Sequence, residues 1–323
     1  MKNRLKVGTV VLLFILTLCH SLPVQAEEET GDKDKMGLYK KTEAVTQIPW
    51  YYLAAIDKYE SNTQKETASD KLISITISNE LWYGAGNTGL HPAEEQIAVF
   101  NGFGRDGNGD GLAEHTNDED ILFTMASWIN RSGNNREDIK IAIWKYYQRE
   151  LSVQTIMNIA KIYKKFGTIT LKDRDFPLPM NANFSYRNTW GDARGFGGRR
   201  IHEGTDIFAN YGVPVKATTY GVVEMKGWNR YGGWRIGIRD PNSNYHYYAH
   251  LNGYQDGIKV GDVVEPGTVI GSVGATGYGP PGTSGKFPPH LHYGMYKDNG
   301  YSEWSFDPYP YLKNWERTAR NKK

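Results

Sequence analysis

From Ile48 to Gly167 apolar side chains recur at helical spacing; beyond Gly167 they fall into short runs broken by glycine and proline, so the chain reads as two halves. In the first half, "IPWYYLAAIDKYE" places Pro49 at a helix start, with Tyr52, Leu53 and Ile56 as its apolar positions. "NDEDILFTMASWINRSG" offers Asn117 as N-cap, acids in the first turn and Gly133 as a stop. "SVQTIMNIAKIYKKFG" repeats that grammar, with Ser152 as cap, Val153, Ile156, Ala160 and Tyr163 on one stripe, and Gly167 after two lysines. An all-α domain over 48–167 is predicted. Residues 168–175 read as a linker. "VPVKATTYGVVEMKGW", "WRIGIRD", "NYHYYAHL" and "DVVEPGTVIGSVG" then predict an all-β domain of antiparallel sheet over 176–315, followed by a basic tail, 316–323. The fold class is α+β, multidomain.

The amino terminus reads as an export signal over residues 1–26. Lys2, Arg4 and Lys6 form a basic head, Val7 to Cys19 an apolar run, and Val24-Gln25-Ala26 a small-residue cleavage site. The run is too short for a comfortable membrane span, which predicts a secreted protein without stable membrane contact after cleavage; an uncleaved anchor is the alternative. Residues 27–47, charged and small at first, read as a flexible leader. Cys19 is the only cysteine and sits inside the apolar run, so disulfides are excluded and stability must come from burial and metal. A net charge of +2 argues neither for nor against an anionic partner, and no nucleic-acid partner is expected. Aromatics make up 13% of the chain, with 22 Tyr and 9 Trp, a content that suits carbohydrate or peptide grooves as well as amphipathic core packing.

Five of the histidines beyond the signal fall in the β half. In "PPHLHYG", His290 and His292 would project to one face of a strand while Leu291 points to the other. "NYHYYAHL" places His246 and His250 on a shared strand face, and "RRIHEGTDIFA" carries His202 and Asp206 in a loop entering a strand. An aspartate and several imidazoles gathered on a β scaffold would form a zinc site with three protein ligands and one open position, the arrangement of a hydrolytic zinc.

"HEGTD", "YAHL" and "PHLHYG", in that order, resemble the lysostaphin-type zinc endopeptidases that cleave peptidoglycan, peptidase family M23. The resemblance covers the β half. It implies one Zn2+ held by His202, Asp206 and His292, with His250 and His290 unliganded beside the metal and catalytic. Such a metal lowers the pKa of bound water to about 7, and the imidazoles would stabilise developing charge or carry a proton to the leaving amine. His246 has no motif position and is expected to be solvent-facing or to support the site from behind. His91 and His115 read as structural or exposed. "GWNRYGGW" corresponds to a groove-lining hairpin, although its aromatics also suit packing alone.

The helical half holds two further candidates. Asp106, Asn108, Asp110 and Gly111 copy the first half of a calcium loop, but Asn117 stands where a bidentate glutamate should close it; Ca2+ and a plain Asp/Gly turn are the two readings. "IPWYYLAAIDKYES" and the segments after it resemble lytic transglycosylase domains of the lysozyme-like class, with Glu60 in the place of the general acid. The combination with the zinc domain is similar to sporulation L-Ala–D-Glu endopeptidases. It implies hydrolysis of that stem-peptide bond in spore cortex, with peptidoglycan peptide and glycan as partners and the cell wall or spore envelope as location. The alternatives are cleavage of another cross-link, a transglycosylase centred on Glu60, and a catalytically silent wall-binding scaffold.

Overall fold

The computed structural model describes residues 24–64, 71–195 and 198–322. Most of the expected signal segment, with Cys19, lies outside the described residues. Among the described residues seven helices come first: α1 (Val24–Thr46), α2 (Trp50–Thr63), α3 (Asn79–Tyr83), α4 (Glu94–Val99), α5 (Asp118–Asn130), α6 (Arg136–Tyr147) and α7 (Glu150–Phe166). The strands follow: β1 (Phe184–Ser185), β2 (Ala193–Arg194), β3 (Arg200–Ile201), β4 (Thr205–Ala209), β5 (Pro214–Lys216), β6 (Gly221–Asn229), β7 (Gly233–Arg239), β8 (Asn244–Tyr254), β9 (Val263–Val264), β10 (Val269–Val273), β11 (His290–Asp298) and β12 (Glu303–Phe306). Helix α8 (Tyr309–Asn321) closes the chain. Among the described residues no helix is long and apolar enough to cross a membrane.

Several start signals act as their chemistry dictates. The Asn117 side chain accepts from the amides of Glu119 and Asp120 at 2.9 and 3.3 Å, capping α5, and Gly167 ends α7 in the left-handed conformation at φ 68°. Ser152, however, is not a cap. Helix α7 starts two residues earlier, and Ser152 is buried inside it, with its hydroxyl 2.6 Å from Tyr59 Oη.

Two expectations about the ends are overturned. The stretch expected to be a flexible leader lies within α1, because Tyr39 is buried in the helical core and donates to Asp57 at 2.6 Å, while Lys35 pairs with the same carboxylate at 3.0 Å. Lys33, Asp34, Lys40 and Lys41 lie on the solvated face of a helix anchored by a few side chains. The residues expected to be a basic tail continue α8, where Leu312, Trp315 and Glu316 are buried at helical spacing. The β half therefore carries a terminal helix against its core.

The main sheet has the order β1-β4-β11-β8-β7-β6-β9, with β12 beside β11 and β10 beside β5 and β8; β2 and β3 form a separate pair. All pairings are antiparallel. One apolar core lies among the helices around Leu53, Trp82 and Ile156, and a second lies under the sheet around Ile207, Tyr248 and Leu291. Helix α7 rests on the sheet edge: Asn158 Nδ2 donates to Glu224 Oε1 at 2.8 Å, and Lys165 Nζ to the Val263 carbonyl at 2.7 Å. Arg149 pairs with Asp298 at 2.9 Å and Phe166 packs edge-on against Tyr220 at 4.9 Å, so the two halves meet through both polar and aromatic contacts.

Candidate metal centre

Strand β11 lies between β4 and β8, and this neighbourhood assembles the site. Register sets His292 directly opposite Asp206 on one side and Ala249 on the other. His202 arrives from the turn between β3 and β4. His202 Nε2 lies 2.9 Å from His292 Nδ1, and each of these nitrogens is 3.1 Å from Asp206 Oδ1. A tetrahedral zinc with bonds of about 2.05 Å would separate its ligand atoms by about 3.3 Å. The triangle is close to that size.

The surrounding hydrogen bonds leave acceptors pointing inward. His202 Nδ1 faces the Thr189 carbonyl at 2.7 Å, so that nitrogen carries the proton and Nε2 offers a lone pair. Arg194 Nη2 donates to Asp206 Oδ2 at 2.7 Å, and the Asp206 amide donates to Thr189 Oγ1 at 3.1 Å; Oδ1 is left for a metal. His202 and Asp206 are both buried. Burial pushes the Asp206 carboxyl up, but the facing rings of His202 and His292 outweigh it and hold the group well below the usual carboxylate range. Ring nitrogens and a carboxylate oxygen converging away from water call for a cation. The donor set fits zinc.

Gly204 makes room for this arrangement. A Cβ there would lie 2.6 Å from Cε1 and 2.8 Å from Nε2 of His292. The glycine inside "HEGTD" was the available signal. Thr189 and Arg194, which hold the ligands from behind, carry no sequence signal of their own because they act through contacts across the fold.

His290 and His292 share a face as strand alternation predicts, but His246 and His250 do not. Between the pairs Trp234↔Leu251 and Ile236↔Tyr248, β8 uses one more residue than β7. The extra residue forms a bulge, with His250 at φ 62° and its amide bonded to the Gly232 carbonyl at 2.8 Å. The bulge moves His250 to the side of Tyr247 and Ala249, which line the pocket over the metal centre. His246 stays in the core, with Nδ1 2.7 Å from Tyr293 Oη and Nε2 3.2 Å from Asp240. It is not solvent-facing.

His250 Nδ1 faces the Thr276 carbonyl at 2.7 Å, and His290 Nδ1 faces the Pro288 carbonyl at 2.8 Å. Both rings therefore present Nε2 as an acceptor, His290 Nε2 lying 3.7 Å from Asp206 Oδ1. The two rings are 4.8 Å apart between centroids. Burial, reinforced by His290 and His292, lowers the pKa of His250 to about 3, and burial also lowers His290. Both are neutral bases at the working pH. The pocket has a volume of about 580 Å³, and Asn229, Tyr231 and Gly232 of the "GWNRYGGW" hairpin line it, whereas Trp228 and Trp234 pack on each other at 5.2 Å.

The other candidates lie elsewhere. Asp106 accepts from the amides of Gly109 and Gly111 at 2.6 and 2.7 Å, and Asn108 and Asp110 close similar turns, so the loop satisfies itself and calcium is not supported. Glu60, on α2 in the helical half, accepts from Tyr147 Oη at 2.6 Å, and burial raises its pKa. His115 packs edge-on against Trp82 at 5.0 Å, a structural role.

Comparison with known proteins agrees with this geometry. Residues 200–305 match the family described as "Peptidase family M23". The chain is 60% identical over 296 residues to the L-Ala–D-Glu endopeptidase of Bacillus subtilis (strain 168), covering 90% of each protein. It is 39% identical over 116 residues to lysostaphin of Staphylococcus staphylolyticus, covering 35% of this chain and 22% of that protein. The crystallised catalytic domain of lysostaphin from Staphylococcus simulans is 35% identical, with a TM-score of 0.32, covering 41% of this chain and 93% of that domain. With its matched segment spanning His202, Asp206 and His292, and a relative matching along nearly its whole length, the chain belongs to peptidase family M23, the zinc metallo-endopeptidases of peptidoglycan.

Proposed function

We propose that the protein hydrolyses the L-Ala–D-Glu amide of peptidoglycan stem peptides. The observation that carries this is the convergence of His202, Asp206 and His292 beside two buried, neutral histidines, in a chain alike over 90% of its length to an enzyme of that name. Zinc bound by the three would supply Lewis acidity, polarising a carbonyl and acidifying water. The chain's own groups do the rest. His250 Nε2 and His290 Nε2 are each unprotonated because Nδ1 is committed to a carbonyl, and one of the two takes a proton from the attacking water. The imidazolium so formed then becomes a donor, and it delivers that proton to the leaving amine. Thr276 and Pro288 keep both rings in the acceptor tautomer, and Arg194 with Thr189 fixes the ligand orientations.

The test is digestion of purified peptidoglycan by the full chain, followed by mass spectrometry. Fragments with new amino-terminal glutamate, lost on chelation and restored by zinc, support the reading. New amino termini at glycine or D-alanine instead would assign another bond and overturn it. A second reading is favoured by Glu60, whose half-buried, Tyr147-bonded carboxyl has its pKa raised and so suits a protonated acid; it makes the helical half a lysozyme-like module. We place it as a module that positions the enzyme on glycan. Anhydromuramic ends in the same digest would show that it cleaves glycan instead. Export, with processing before Glu27, and action in the spore envelope belong to the same proposal; the amino-terminal sequence of protein recovered from sporulating cells tests both.

A further inference from the structure

The pocket over the metal centre has one cationic wall, and its position bears on which peptide fits. Arg200 at the start of β3 and Lys286 in the loop before β11 both line the pocket. Arg200 donates to the Gly198 carbonyl at 3.3 Å and to Tyr278 Oη, and its Cζ lies 5.7 Å from the Tyr278 ring centroid and 6.0 Å from that of Tyr231. Lys286 Nζ donates to the Tyr278 carbonyl at 2.6 Å. Both cations are thus organised by one residue, and the Tyr278 ring is stacked on His250 at 6.2 Å. Phe287 fills the neighbouring space, 4.7 Å from His250 and 5.1 Å from His290. The wall stands beside the two proton-carrying rings. The other cation of the pocket, Arg194, is committed to Asp206, and the exposed Glu203 turns to Tyr296 Oη at 3.3 Å.

Proton delivery gives the substrate a direction. The leaving amine receives its proton from His250 or His290, so the residue that carries this amine must sit on the histidine side, against Tyr278 and Phe287. In the reaction proposed above that residue is a glutamyl unit. One of its two carboxyl groups continues the peptide, and the other remains a free carboxylate. We propose that Arg200 and Lys286 form a carboxylate subsite for the residue immediately after the scissile bond, and that the enzyme selects an acidic residue there. A guanidinium binds a carboxylate through paired donors and an ammonium adds a point charge, both at the solvent-exposed mouth of the pocket. This inference rests on the proposed bond.

The experiment uses the zinc-loaded full chain and two synthetic stem peptides that differ only at this group, a free carboxylate in one and its carboxamide in the other. The ratio of kcat/KM, acid over amide, is the readout. The wild type is expected to favour the acid by about threefold to thirtyfold, the range of two solvent-exposed ion pairs. The double variant Arg200→Gln, Lys286→Gln should bring the ratio near one, and Arg200→Glu should push it below one, with zinc content unchanged in each. A general structural disturbance would slow both peptides and leave the ratio alone. Equal cleavage of acid and amide by the wild type, or an unchanged ratio in the double variant, overturns the subsite while leaving the bond assignment standing. Failure to cut either peptide, with cleavage elsewhere in peptidoglycan, overturns both.

Discussion

Gly204→Ala isolates the packing that holds His292 in place. The new Cβ would meet Cε1 and Nε2 of His292 at 2.6 and 2.8 Å and the Tyr293 carbonyl oxygen at 2.7 Å. Carbon contacts become comfortable near 3.5 Å, so the closest of these must open by about 0.9 Å. The Tyr293 backbone is held on both sides, opposite Thr205 on β4 and Tyr248 on β8, and has little freedom to retreat. The imidazole must move. Its Nδ1 stands 2.9 Å from His202 Nε2 and 3.1 Å from Asp206 Oδ1, and a metal site tolerates errors of only about 0.2 Å in bond length. Zinc affinity should fall by about 10- to 100-fold, or about 1.4 to 2.7 kcal/mol, as for other losses of ligand support. At saturating zinc, kcat/KM should still fall about 100-fold from misplacement. Competition for zinc against a chromophoric chelator reads the first quantity and peptide hydrolysis the second. Gly253→Ala, on β8 with nothing within 4 Å of its added Cβ, is the control. Wild-type zinc affinity and turnover in Gly204→Ala would refute the reasoning.

Alanine at His202, Asp206 or His292 should abolish stoichiometric zinc, whereas His250→Ala and His290→Ala should keep zinc and lose about 10²- to 10⁴-fold in kcat; metal analysis beside kinetics separates the two classes, and a fully active His290→Ala would contradict its role. Arg149→Met removes the partner of Asp298, whose side chain is 0% exposed, and should cost about 3 to 5 kcal/mol in urea unfolding; a loss below 1 kcal/mol would show that the halves do not depend on this pair. Burial raises the Glu60 pKa, so the unfolded chain ionises first, and this group's contribution to stability is lost as pH rises from its ordinary value of 4.5 through the higher folded value. Glu60→Gln keeps an acceptor for Tyr147 and removes the titration, so relative to wild type it should be more stable at pH 7 than at pH 4; an identical difference at both pH values would refute the assignment.

The parts of the structure legible in the sequence are those set by local rules. Period-two alternation put His290 and His292 on one face, and Asn117 capped α5 because its side chain reaches amides two and three residues away. What local rules miss is pairing across the fold. Asp206 and His292 are 86 positions apart, and only the insertion of β11 between β4 and β8 makes them neighbours. The family motifs carried that information; periodicity did not. The leader and tail were misread for a related reason. Tyr39 in α1 and Trp315 in α8 bury against partners that the surrounding charged residues do nothing to announce.

The bulge at His250 is where periodicity fails outright, and it yields a test by sign. In a regular strand His250 would point with His246 and Tyr248 into the core; one extra residue turns it into the pocket, at φ 62°. A side chain in that region costs roughly 1 to 2 kcal/mol that glycine does not incur. In a regular strand the order is the reverse, since glycine is roughly 0.5 to 1 kcal/mol worse than alanine. His250→Ala and His250→Gly delete the same ring contacts with Phe287 and Tyr278 and the same bond to the Thr276 carbonyl, so their difference reports the backbone alone. His250→Gly should therefore be the more stable by about 1 kcal/mol in urea unfolding, with both inactive. If alanine proves the more stable, the backbone there is ordinary strand and the bulge does not aim the histidine. If glycine does, the chain sustains local strain at this position in order to place a proton carrier beside the metal.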